Sequence, residues 1–352
     1  PSAISAHSQP LSIQRTGLVL RWAPRKGLDL NEYELVREWR MKRLVLEYLI
    51  CPKCLPKKIE LSPEVRQEQA GDIMEGSLRC RLCGTVYPIR EGIGFLDPGA
   101  VGGPKPDSKY ETAPVVSSYL WSHFGDIMGD GESSSAYSEW AALVDAGPGL
   151  TLDVGSAVGR FAFEMTPKSD FVVGIDNSVA FIRTARELMV HRRMRVALKQ
   201  EGLLTREASI AVPGEWRSDK VEFLVADALA LPFRSGLFSV TGSLNIVDKV
   251  PKPLKHLQEM NRVSRGSGAQ LVLSDPFSWS TEAAREEDWL GGRGNGAYPG
   301  SGIENIRVLL ENGREQLTPV WQVADQGHVW WKIRTHANHF ELIRSCFLKA
   351  LR

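Results

Sequence analysis

The sequence predicts an α/β protein: a doubly wound, mostly parallel sheet, preceded by a small module folded around a metal ion. Three observations carry this. Residues 152–176, LDVGSAVGRFAFEMTPKSDFVVGID, read as a buried strand, a glycine turn, a helix and a second strand ending in a carboxylate. Apolar strand-like runs then alternate with helical runs as far as Asp275. Alternation of this kind lays helices on both faces of a mostly parallel sheet. Finally, four of the five cysteines stand in two CxxC pairs.

Taken in order, residues 1–30 read as an irregular tail with one short strand, TGLVLRW. Residues 31–49 carry apolar residues at helical spacing behind a candidate N-cap, Asn31. The CxxC pairs follow, separated by a polar, acidic insert, and GTVYPIREGIGFLDP reads as a hairpin. The Pro/Gly stretch that follows marks a linker. The expected division is a tail at 1–30, a metal module at 31–97, a linker at 98–108 and the sheet domain at 109–352. Residues 109–147 are expected as helical cover. The strands LTLDVG, FVVGID, VEFLVAD, LFSVTGSLNIV and AQLVLSD come next, with helices GRFAFEM, SVAFIRTARELMVHR and PLKHLQEMNRVS between them. Residues 290–302 form a glycine-rich loop, and HVWWKIRTHANHFELIRSCFLKAL reads as two strands around a polar turn.

Composition narrows the class. A chain of 352 residues suggests about two domains. A formal net charge of +1 supplies no global field for nucleic acid. No apolar run approaches the ~20 residues of a membrane helix, and residues 1–30 hold no signal-peptide core. The expectation is a cytoplasmic protein, where paired CxxC motifs favour metal over disulfides.

Cys51 and Cys54 form one knuckle, Cys80 and Cys83 the other. Two knuckles complete a tetrahedral four-thiolate site with no open position, which suits a structural zinc. A redox role for either pair would need a thioredoxin-like unit, and none is visible. In the sheet domain, Gly155 and Gly159 permit a tight turn and close backbone approach to a ligand. Asp176 ends the second strand, where an acid accepts from ribose hydroxyls. Asp153 would repel a pyrophosphate but suits the ammonium end of S-adenosylmethionine. Ser156 and Asn177 are expected beside them in the cofactor set, and Asp227 with Ala228, an Asp before a small residue at the end of the third strand, resembles the adenine-edge position of class I methyltransferases. Asp227 can equally be a helix N-cap.

Two resemblances follow from these residues. LEYLICPKC and GSLRCRLCGTVYPIREGIGFL resemble the small zinc-binding activator that partners tRNA, rRNA and release-factor methyltransferases. The block from Tyr137 to Arg352 is similar to the C-terminal methyltransferase domain of ovothiol synthases, which N-methylates the imidazole of 4-mercaptohistidine. It is carried by LDVGSAVGRFAFE, VVGIDNSVAFIRTARELM, LKQEGLL, VEFLVADALALP, SLNIVDKVPKPLKHL, LVLSDPFSWSTEAAREEDWLGG and IRTHANHF. The resemblance implies a seven-stranded, Rossmann-like class I methyltransferase sheet. Ala157 replaces the middle glycine of the usual GxGxG, and Ser156 stands where the ovothiol family has cysteine. A zinc module precedes the domain where that family carries its sulfoxide synthase. The acceptor is therefore expected to be a related small imidazole or thiol compound.

Asn245 and Asp248 follow the fourth strand, at the carboxyl edge where such sheets bind ligands. They are the candidate catalytic pair: Asn245 to orient an imidazole, and Asp248 to take a ring N–H or an ammonium. Asn245 is also counted with the cofactor residues. A chain turn and a helix cap account for the same two residues. Asp275, Phe277 and Trp279 are expected to wall the acceptor pocket, Trp289 and Tyr298 to stack on a flat substrate, and Arg334 and His336 to take a carboxylate. Two other readings stand beside this one. The module could dock RNA or protein through Arg37, Arg40, Lys42 and Arg43, or the chain could be a non-catalytic cofactor-binding scaffold. A solvated face explains those cations equally well.

Overall fold

The computed structural model describes residues 39–98, 108–313 and 315–352. The expected tail, the N-cap at Asn31, Arg37 and most of the linker lie outside the described residues. Two hairpins come first: β1 (Leu61–Gln69) with β2 (Asp72–Cys80), and β3 (Val86–Arg90) with β4 (Ile93–Gly94). They form a four-stranded antiparallel sheet in chain order. The polar insert between the cysteine pairs is thus the first hairpin, and it reads as polar because β1 exposes most of its side chains.

The helix expected over 31–49 is not present in the described part. Residues 43–48 form a 3-10 helix, while Met41 exchanges both backbone hydrogen bonds with Ile73, at 2.8 and 2.9 Å. The apolar spacing survives for a different reason. Met41, Val45 and Leu49 are all buried, but as a strap paired at both ends, Met41 with Ile73 of β2 and Leu49 with Phe233.

Then come α1 (Ala113–Phe124), α2 (Ala136–Ala142), β5 (Leu150–Val154), α3 (Arg160–Met165), β6 (Phe171–Asp176) and α4 (Val179–His191). A hairpin of β7 (Arg193–Glu201) and β8 (Leu204–Ala211) precedes β9 (Val221–Val225) and β10 (Phe238–Leu244). The chain closes with α5 (Pro253–Val263), β11 (Gln270–Asp275), α6 (Gly302–Asn312), β12 (Gln322–His336) and β13 (His339–Leu351). The seven-stranded sheet runs β12-β13-β11-β10-β5-β6-β9. Only the contacts made by β13 are antiparallel. Strand order reverses between β5 and β10, and the crevice above that point is where doubly wound sheets bind ligands.

Among the described residues no helix separates β9 from β10. The N-terminal module fills that place: Ile50 N–H donates to Pro232 O (2.8 Å), Arg234 N–H to Tyr48 O (3.1 Å), and Leu49 pairs with Phe233. Beyond β4, Phe95 pairs in parallel with Val225, and Leu96 N–H donates to Val225 O at 2.7 Å. The chain therefore covers the open edge of β9, which would otherwise present unpaired backbone. A buried ion pair, Arg186 with Glu222, ties the seam, since Arg186 also donates to Arg40 O and Glu222 accepts from Lys42 N–H. Module and sheet share one apolar core that joins Met41, Val45, Ile73 and Tyr87 to Leu152, Ile175, Leu224 and Phe233. Residues 39–352 accordingly form one compact unit.

At the other edge, Ser118 and Ser122 of α1 donate to the carbonyls of Arg334 (2.6 Å) and Lys332 (2.9 Å) on β12. The β12–β13 hairpin runs on past the carboxyl end of β11, because Cys346 pairs with Asp275 and residues 339–345 continue beyond it. Its tip meets the β7–β8 hairpin, where Ala337 N–H donates to Gln200 O at 3.1 Å.

Candidate methyltransferase site and zinc centre

The four CxxC thiols converge. All four Sγ atoms lie within 4.8 Å of one another, with Cys51–Cys83 and Cys54–Cys80 each at 3.7 Å. Zn–S bonds of about 2.3 Å give a tetrahedron with edges of about 3.8 Å, so the donor set fits zinc. The first knuckle turns through the 3-10 helix Pro52–Cys54; the second turns at Gly84, with φ +71°. Four thiolates leave no coordination position for chemistry, and the site is structural.

At the carboxyl ends of β5 and β6 the glycine turn holds a shape that few residues allow. Gly155 has φ +74°, and a Cβ there would lie 2.1 Å from Ile246 Cδ1. Gly159 has φ +90°, and a Cβ would strike the Phe223 ring at 2.7 Å. Ala157 takes the left-handed conformation itself at φ +45°, which is how the turn survives without the middle glycine. Asp153 is buried and accepts from Ala162 N–H at 3.0 Å; burial pushes its carboxyl up to about 8. Asp176 accepts from Ala157 N–H (3.0 Å) and Ser178 N–H (2.8 Å), and burial pushes it up to about 6. Glu111, which caps the start of α4 through Val179 and Ala180 N–H, adds to the negative field at Asp176. Buried carboxyls without a cation suit a ligand that carries positive charge. Ser156 is also buried, with no partner for its hydroxyl. Asn177 is exposed beside Asp176, and Ala228 O lies 3.4 Å from His256 Nδ1. Asp227 accepts from Leu229 N–H at 2.8 Å in a local turn, and no helix begins there.

Asn245 follows β10 in the left-handed conformation, φ +60°, and its Oδ1 accepts from Ser345 of β13 at 2.7 Å. Asp248 and Asp275 form a buried pair. Asp248 N–H donates to Asp275 Oδ2 (3.2 Å), and Asp248 Oδ2 accepts from Ser278 N–H (2.7 Å). Asp275 Oδ1 accepts from Phe277 N–H at 2.7 Å. Burial, and then the Asp248 charge, hold the Asp275 carboxyl well above the usual range. Asp248 Oδ1 faces the Lys249 ammonium at 3.1 Å.

The other aromatic candidates gather elsewhere. Phe277, Trp279 and Trp289 lie ring to ring, with centroids 6.0 and 6.4 Å apart. Phe277, Trp279 and Tyr298 pack on the core shared by α5 and α6. Arg334 is buried on β12 with Asp130 and Arg206 as its charged neighbours, and His336 lies at the hairpin tip 5.6 Å from His339. The rings on the α1 side were not read from the sequence. Tyr119 lies 4.7 Å from Phe181 and 6.2 Å from Trp331, and Trp140 lies 6.5 Å from Trp331. Tyr119 and His123 are four residues apart, Tyr137 and Trp140 three, so helical spacing on one face was the available signal.

Residues 152–272 match the family model for a methyltransferase domain. Residues 42–92 match that for Trm112p-like protein. The chain joins a Trm112-like zinc ribbon to a class I methyltransferase domain. Its cofactors are S-adenosylmethionine and structural zinc. Solved structures with some likeness include a SAM-dependent methyltransferase from Methanosarcina mazei (20% identity, 58% of this chain and 93% of that one, TM-score 0.36). Another is phosphoethanolamine N-methyltransferase 2 of Haemonchus contortus (16% identity, 54% and 38%, TM-score 0.36). A third is from the complex between the Haloferax volcanii Trm112 methyltransferase activator and a methyltransferase (14% identity, 66% and 96%, TM-score 0.38). No helix among the described residues is long and apolar enough to cross a membrane.

Proposed function

We propose that this methyltransferase N-methylates the imidazole of a small histidine-derived metabolite, with or without a ring sulfur. The observation that carries this is the wall around the acceptor side. α1, α2 and β12 bring flat rings together there, with Trp331 6.2 Å from Tyr119 and 6.5 Å from Trp140, and the β12–β13 tip meets the β7–β8 hairpin beside them. A walled, ring-lined site suits a flat small molecule. The sequence resemblance over 137–352 points the same way.

When bound, S-adenosylmethionine supplies a methyl group on a sulfonium. Asp153, Gly155, Ser156, Gly159, Asp176, Asn177, Asp227 and Ala228 would hold that cofactor. A neutral imidazole nitrogen is already nucleophilic, so the chain mainly has to orient it and keep water out. Asn245 would orient the ring. Asp248, braced by Asp275, would fix the strained loop that carries Asn245 and stand ready for a ring N–H or an ammonium. Phe277, Trp279, Trp289 and Tyr298 would form the outer wall, and Arg334 and His336 would serve at the hairpin end.

The docking alternative loses support in the seam. Lys42 donates to Val221 O at 2.7 Å and Arg40 to Gln69 Oε1 at 3.2 Å, so these two cations are engaged within the fold, while Arg43 is exposed and pairs with Glu68 at the surface. The ribbon also lies at the β9 edge, on the far side of β5 and β6 from β10. The test is to incubate the zinc-loaded chain and S-adenosylmethionine with L-histidine and 4-mercaptohistidine, and to locate any methyl group by fragmentation mass spectrometry. Methyl on a ring nitrogen is the expected result. Methylation of neither compound overturns the proposal.

A further inference from the structure

We propose that the acceptor side contains an anion subsite made of three uncharged donors: the Trp331 indole N–H, the Asn245 amide N–H and the Tyr137 hydroxyl. This rests on the small-molecule reading above and adds that the acceptor carries a carboxylate or a thiolate. Trp331 is buried and its N–H meets no acceptor. Trp279 Nε1 is unpartnered as well, whereas the buried indoles of Trp121, Trp140 and Trp321 donate to Asp130 (2.8 Å), Ser274 Oγ (3.0 Å) and Asn261 Oδ1 (2.8 Å). With Asn245 Oδ1 engaged by Ser345, its Nδ2 is buried and unpartnered as well.

Tyr137 supplies the third donor through His123. Its hydroxyl lies 2.6 Å from His123 Nε2, and the two rings are 4.0 Å apart. Burial, and then the neighbouring Arg160 guanidinium, keep the His123 ring neutral. His123 Nδ1 has no partner. A buried N–H without an acceptor is rarer than a bare lone pair, so the proton belongs on Nε2. His123 then donates to the Tyr137 oxygen, and the Tyr137 proton is left to point elsewhere.

Trp140 and Ser274 link the residues that carry the three donors. Tyr137 packs edge-on against Trp140 at 5.1 Å, and Trp140 neighbours Trp331. Ser274 binds the Trp140 indole through its hydroxyl and accepts from Asn245 N–H through its carbonyl at 2.6 Å. Two buried donors without acceptors, beside a hydroxyl proton that His123 does not take, call for a partner that the chain itself does not supply. Donors without acceptors select a ligand rich in lone pairs. An imidazole ring uses its free lone pair as the nucleophile, so the accepting atoms are those of an attached carboxylate or ring thiolate.

The experiment uses the full zinc-loaded chain with S-adenosylhomocysteine and 15N-labelled tryptophan. Trp331 is assigned by the signal lost in Trp331→Phe. The probes are benzoate, thiophenolate and, as a neutral counterpart, benzyl alcohol. Saturable downfield movement of the Trp331 indole proton with benzoate, thiophenolate or both, and none with benzyl alcohol, is expected; which anion acts identifies the source. Tyr137→Phe should weaken that binding about 10-fold, the scale of one hydrogen bond to a charged group. If neither anion moves the Trp331 signal more than benzyl alcohol does, the subsite does not exist. No probe is an imidazole, so failure of histidine compounds as methyl acceptors is a separate result.

Discussion

Asp153 and Asp176 sit where the sheet offers no cation, and their chemistry is measurable. Burial raises the Asp153 carboxyl from its usual 3.8 to about 8, and Asp176 from 3.8 to about 6. A raised acid binds more protons folded than unfolded between those values, so ligand-free stability falls as pH rises through that window. The urea midpoint of the ligand-free chain should therefore decline from pH 4 to 8, and Asp153→Asn should flatten the decline; parallel profiles for the two proteins would refute this. S-adenosylhomocysteine at 100 times its dissociation constant should stabilise the fold by ~2.7 kcal/mol. Asp176→Ala should remove most of that gain in a thermal-shift titration, and an undiminished gain would place the ribose elsewhere. Asn245→Ala should lower turnover by about 10²-fold, the scale of a misplaced reactant, with cofactor affinity little changed. These residues were legible because turn, strand end and spacing are local. The ring box was not, since α1, α2 and β12 bring it from opposite ends of the domain.

At the scale of elements, the seam between ribbon and β9 decides how the molecule holds together. Strands β5, β6, β9, β10 and β11 and helices α3, α4 and α5 followed from apolar runs, and so did the terminal hairpin. The β7–β8 hairpin did not, because its residues are charged and mostly exposed, and it carries no apolar run to announce it. The strap before Cys51 was misread because the spacing of Met41, Val45 and Leu49 suits a helix and a two-ended strap alike. Pairing with Ile73 and Phe233 settles which, and pairing is not a local property. The seam's buried ion pair gives a test. Arg186→Met would leave the buried Glu222 without its guanidinium partner, with Lys42 as the remaining cation beside it, and the expected loss is about 3 kcal/mol, the lower end for a broken buried pair. Urea unfolding should show a lower midpoint at unchanged slope. A midpoint within error of wild type would mean the pair carries no part of the docking.

At the scale of the molecule, ribbon and methyltransferase sheet share an apolar core across the seam, so they are expected to unfold as one cooperative structure. Chelating the zinc, or substituting Cys51→Ser, should lower the stability of the sheet domain as well as the ribbon. Tryptophan fluorescence and far-ultraviolet circular dichroism should then report one shared transition. An early transition confined to the ribbon would show two independent units. The ribbon thus braces the β9 edge, on the far side of β5 and β6 from β10, and the proposed acceptor is a small molecule held away from it. The most direct test is where the methyl group goes. The zinc-loaded chain is incubated with methyl-labelled S-adenosylmethionine and a cell extract, and the products are separated by size. Label is expected in the small-molecule fraction, on a compound containing an imidazole; label found only on RNA or protein would overturn the small-molecule reading.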